Sequence, residues 1–196
     1  LTRIWNPQFA PSPGTAPLNN KFSASLGEKW ELGERDLKNP DEYLPVLGFF
    51  AALSYNRSYD HYVGGDNNRY EFDPTLGLNP TAVLKDNRSQ ETVSWGGAFN
   101  LGFDPTPDHN FAFNFAYTQV GEDEGRIQQG NAPVIDQVGP NDTFTSVNST
   151  YTERNLTSYQ LRGEHTINEL NGFKIDWIAA LASTFQDQPD FRVFPF

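Results

Sequence analysis

The sequence predicts an all-β protein, a transmembrane antiparallel β-barrel segment with six long meander strands, long extracellular loops and short periplasmic turns. Three observations carry that expectation. Six runs alternate apolar and polar residues with a period of two, the spacing that puts successive side chains on opposite faces of a strand. The runs are about ten residues long, roughly the hydrocarbon thickness for a tilted strand and longer than the usual five or six. The connections alternate between long polar segments (56–91 and 120–156) and short ones (104–109 and 166–172), the pattern of outer-membrane barrels.

Taken in order, residues 1–20 hold four prolines and no period, and read as an extracellular loop or linker. Residues 21–184 carry the strands of a partial barrel, and 185–196 begin a further extracellular loop. The first strand sets Phe22, Ala24, Leu26 and Trp30 against Ser23, Ser25, Gly27 and Lys29. The second lines up Leu47, Phe49, Ala51, Leu53 and Tyr55. The third is the cleanest, with Val93, Trp95, Phe99, Leu101 and Phe103 against Ser94, Gly96, Ala98, Asn100 and Gly102. The fourth opposes Phe111, Phe113, Phe115 and Tyr117 to Asn110, Ala112, Asn114 and Ala116. The fifth is weaker, with Tyr159 and Leu161 against Arg162 and Glu164. The sixth sets Phe173, Ile175, Trp177, Ala179 and Leu181 against Lys174 and Asp176. No proline interrupts any run, as ladder hydrogen bonding requires. On this reading Phe49, Trp95, Phe99, Phe113, Phe115 and Trp177 face lipid, and Arg162, Glu164, Lys174 and Asp176 face the lumen. Six strands do not close a wide barrel, so a fragment of a larger one is expected.

Composition narrows the function classes. A net charge of −11 disfavours nucleic acid, and the absence of cysteine excludes disulfides and thiolate metal sites. Three histidines, at 61, 109 and 165, form no ligand cluster by spacing. No catalytic motif accompanies His109, Asp104 and Asp108, so no enzyme and no cofactor are expected. GDNN at 65–68 lacks the carboxylate spacing of a calcium loop, and GEDEG at 121–125 reads as a short solvated acidic run, so no metal is expected. Five Asn-x-Ser/Thr matches, at Asn56, Asn87, Asn141, Asn148 and Asn155, are read as polar sequence only.

The segments ETVSWGGAFNLGF (91–103), FNFAYTQVGEDEGRIQQG (113–130), YTERNLTSYQLRGEHTI (151–167) and LNGFKIDWIAALASTFQDQPDFRVF (170–194) resemble the mid-barrel region of TonB-dependent outer-membrane receptors. The resemblance implies a 22-strand parent barrel with a plug, located in the outer membrane of a Gram-negative bacterium. It implies import of a scarce metal chelate, cobalamin or glycan. The implied partners are outer-membrane lipid, the missing strands and plug of the parent, TonB-ExbB-ExbD through the parent, and a small-molecule or glycan substrate. A passive porin and a secreted carbohydrate-binding β-sandwich are the alternatives.

Substrate contact is assigned to the two long polar segments, where rings stack on ligand surfaces and amides and carboxylates bond to hydroxyls. The candidates are Tyr59, His61, Tyr62, Asn67, Asn68, Arg69 and Tyr70 in the first, and Glu122, Asp123, Glu124, Arg126 and Gln128 in the second. For the last hairpin, charge predicts the register that sets Glu164 opposite Lys174 and Arg162 opposite Asp176, since opposite charges across a pair are favourable.

Overall fold

A computed structural model describes residues 12, 14–34, 42–75, 77–132 and 143–195. Six strands form one antiparallel sheet in chain order: β1 (Asn20–Glu31), β2 (Val46–Asp73), β3 (Gly77–Thr106), β4 (His109–Asn131), β5 (Phe144–Ile167) and β6 (Phe173–Pro195). A single 3-10 turn, Asn168–Leu170, joins β5 to β6. Most of the leading segment 1–20, and the Asn141 match, lie outside the described residues.

The expected segment of a transmembrane barrel is overturned. The sheet is open, with β1 pairing only to β2 and β6 only to β5 among the described residues. No second layer packs on it among the described residues, so the sandwich alternative fails as well. The described parts of the long polar segments are largely strand and not loop. Strand β2 continues to Asp73 and reverses at a short turn, where the Thr75 N–H donates to Asp73 Oδ1 (2.7 Å) and Gly77 takes a positive φ of 78°. Strand β3 runs back for 30 residues, roughly 100 Å at the rise of an extended chain. Residues 120–131 continue β4, 144–156 begin β5, and 185–195 complete β6.

Cross-strand ring pairs take the place of a conventional core in the lower half of the sheet. Phe22 stacks on Tyr55 (5.1 Å between centroids), Trp30 on Phe49 (5.3 Å), Trp95 meets Tyr117 (5.0 Å) and Phe115 meets Tyr159 (5.1 Å). The ring face still reaches solvent, with Trp95 45% and Trp177 38% exposed. The tightest burial lies at the other end, where Ala82 and Leu84 of β3, Ala132 just beyond β4 and Phe144 of β5 cluster.

The register of the last hairpin differs from the charge-based expectation. Glu164 faces Asp176, Thr166 faces Lys174 and Arg162 faces Ile178. Shape explains the shift. Trp177 lies over buried Gly163, where an added Cβ would fall 2.5 Å from the indole, and its Nε1–H donates to His165 Nε2 (2.9 Å). Moving Trp177 opposite Leu161 would replace that nested pair by two bulky side chains. The turn favours the same register, because Asn171 (φ 61°) and Gly172 (φ 76°) both adopt left-handed conformations. Arg162 pairs with Glu164 along its own strand, easing the like-charge contact.

Candidate functional site

The extended polar halves of β2 to β5 put two sets of side chains on opposite faces of the sheet. On one face the parity of the strands aligns Tyr62, Asp86, Arg88, Glu122, Glu124, Arg126, Gln128 and Arg154. Asp86 sits at its centre, only 2% exposed. Arg126 donates to it through both Nε (2.8 Å) and Nη2 (2.7 Å), and the Tyr62 hydroxyl donates to Oδ2 (2.6 Å). The hydrogen bond from Arg126, with that from Tyr62 and the guanidinium charge, outweighs burial and holds the Asp86 carboxyl below its ordinary range. The same contacts raise Arg126 and the Tyr62 phenol above theirs.

A local backbone feature makes the Tyr62 contact possible. A bulge between Tyr62 and Gly65 shifts the β2–β3 register, with Gly64 at φ 73° and its N–H donating to Asn87 Oδ1 (2.8 Å). The missing side chain of Gly65 then leaves room for the Tyr62 ring, since a Cβ there would lie 2.8 Å from the ring edge.

Around this centre the arginines on β3, β4 and β5 are each matched to an acid. Arg88 pairs with Glu124 (2.7 Å) and Arg154 with Glu122 (3.5 Å). Gln128 lies directly between Asp86 on β3 and Ser146 on β5, and all three are buried. Its Nε2 is the exception in this satisfied network, a buried donor with no acceptor among the described residues.

The opposite face carries Tyr59 and His61 instead. Arg57 pairs with Glu91 (2.6 Å), and the Tyr59 hydroxyl donates to the same carboxylate (3.4 Å). His61 Nδ1 meets Ser89 Oγ (2.9 Å) and the Arg88 carbonyl (3.1 Å). Asp123 shares this face, and although it reaches solvent its carboxyl is pushed up, first by desolvation and then by Glu91 and Asp190. Asn67, Asn68, Arg69 and Tyr70 lie further out on β2, opposite Leu84, Val83, Ala82 and Pro80.

Of the residues chosen from sequence, Tyr62, Glu122, Glu124, Arg126 and Gln128 are therefore brought together, Tyr59, His61 and Asp123 are sent to the other face, and 67–70 stand apart. Sequence reasoning missed Asp86, Arg88, Ser146 and Arg154. Their signal was present as charged or polar residues at alternate positions, Asp86, Arg88 and Gln90 on one parity, and was obscured by reading the segment as a loop.

No family model matches the chain, and no curated protein matches it. Together with the open sheet, this overturns the TonB-dependent receptor resemblance and the functions drawn from it. Import of a metal chelate, cobalamin or glycan loses its ground, as do the passive porin and the secreted sandwich. The partnerships with outer-membrane lipid, a plug, missing barrel strands and TonB-ExbB-ExbD fall with the barrel on which they rested, and so does the Gram-negative outer-membrane location.

Proposed function

We propose that the polar half of the sheet is a non-catalytic binding surface for a neutral ligand bearing hydroxyl or amide oxygens, held on the face that carries Tyr62, Glu124, Arg126 and Gln128. The observation that carries this reading is the buried Gln128 Nε2, which lacks an acceptor among the described residues, inside an otherwise completed network. Leaving a buried donor unpaired costs about 1–3 kcal/mol, and a ligand oxygen at that atom would recover it. The ion pairs around it decide the ligand's charge. Because Arg88, Arg126 and Arg154 each already meet a carboxylate, a phosphate or sulfate would have to break a pair to bind, whereas a neutral oxygen would not.

Titration with neutral oligosaccharides and small amides, followed through the Gln128 side-chain NH2 resonances, tests the reading. Saturable shifts that disappear in Gln128→Leu are expected. Unmoved resonances through millimolar ligand, or equal binding by Gln128→Leu, would refute it.

A further inference from the structure

We propose that the free edge of β6 pairs with the free edge of β1 in a second copy of this chain, antiparallel and in one register. Every residue of β1 is exposed, and so is β6 from Phe173 to Pro189. The two edges are protected unequally. Near its end β6 carries Asp187, Pro189 and Asp190 beside a register shift, features that discourage strand addition. From Trp177 to Phe185 it carries no charge and no proline, and it is apolar on both faces, with Ile178 67% and Leu181 68% exposed.

The β1 edge complements that stretch in direction, face and size. In an antiparallel sheet of six strands the first and last run in opposite directions, so adding β1 of a second copy to β6 continues the same pattern. Setting Lys29 opposite Asp176 keeps the ring faces of both copies on one side. It also places Glu31 opposite Lys174, Gly27 opposite Ile178, Leu26 opposite Ala179 and Ala24 opposite Leu181. Those last three pairs each set a large side chain against a small one, while Trp30 meets Ile175 and Glu28 meets Trp177. Moving two residues either way preserves the faces but sets Glu31 against Asp176, or Lys29 against Lys174. Charge selects between these registers as it failed to do in the β5–β6 hairpin, because no connecting turn and no Trp177–Gly163 nesting competes across an intermolecular edge.

The chain has no cysteine, so single cysteines report the contact directly. Ser25→Cys mixed with Ala180→Cys under mild oxidation should yield a covalent dimer, since directly opposed residues lie within disulfide reach. Ser25→Cys with Ala182→Cys, the pair of the displaced register, should yield much less. By sedimentation velocity the unmodified chain should self-associate with concentration. Asp176→Lys should weaken association about three- to fivefold, and mixing it with Lys29→Asp should restore it. A monomer at all concentrations, or cross-linking as efficient at Ala182→Cys as at Ala180→Cys, would overturn the proposal. These outcomes do not depend on ligand binding at Gln128.

Discussion

Replacing Asp86 by alanine should be among the most damaging changes in the upper sheet, and the structure sets its size. The carboxylate accepts two hydrogen bonds from Arg126 and one from Tyr62, and its side chain is 3% exposed. Breaking a buried pair by removing one partner costs about 3–5 kcal/mol when the survivor stays buried. Here Arg126 retains 31% exposure, so water recovers part of that, and about 2–3 kcal/mol is expected for Asp86→Ala. In a urea double-mutant cycle with Arg126→Ala the two should couple by about 1.5–2.5 kcal/mol, because the second substitution removes a charge already stranded by the first. The pH dependence has a definite sign. A carboxyl held below its ordinary range stabilises the fold fully above the unfolded value near 4, and that stability is lost as pH falls through the folded value. The wild type should therefore lose more stability than Asp86→Asn on acidification below about pH 4. A coupling within about 0.3 kcal/mol of zero would show that the pair is a surface contact of no consequence.

Gly163→Val should destabilise by about 1–3 kcal/mol in urea unfolding and shift Trp177 emission, since the new side chain enters the space of the indole. Gly65→Ala should displace the Tyr62 ring, and loss of the low-field Tyr62 hydroxyl proton in NMR would report the broken bond to Asp86. Asp123→Asn should raise the melting temperature at pH 7 and lose that advantage on acidification. Its carboxyl is held above the ordinary range, so the folded state binds a proton more tightly than the unfolded one and stability falls as pH rises through that window.

The strand parities were legible because they depend on local chemistry. The alternation at 93–103 and 111–117 places Trp95, Phe99, Phe113 and Phe115 on one face, and the β3–β4 register pairs Phe99 with Phe115 as that parity requires. Strand length was not legible in the same way. Residues 57–62 and 85–92 are polar on both faces, and polarity is equally compatible with a loop and with a two-sided solvated hairpin. Their alternation is in charge, Arg88 against Glu124 and Arg126 against Asp86, and such a pattern becomes visible only once the partner strand is known. The barrel assignment is the larger correction: aromatic alternation and long strands are common to a barrel wall and to an open sheet, and this sheet is open.

The last hairpin shows why charge was given too much authority. A cross-strand ion pair contributes about 0.2–1 kcal/mol, and the expected register offered two such pairs in partly solvated positions. Against them stood a single steric arrangement, a Trp177 indole lying over a residue without a side chain and donating to His165. Overpacking that site costs about 1–3 kcal/mol, against about 0.4–2 kcal/mol for both ion pairs together before solvent screening reduces them. The glycine was visible in the sequence at position 163, but its value depended on which residue lay across from it. At the β1 and β6 edges no connecting turn and no indole over a glycine sets the register, so two opposite-charge pairs at about 0.2–1 kcal/mol each carry more weight there.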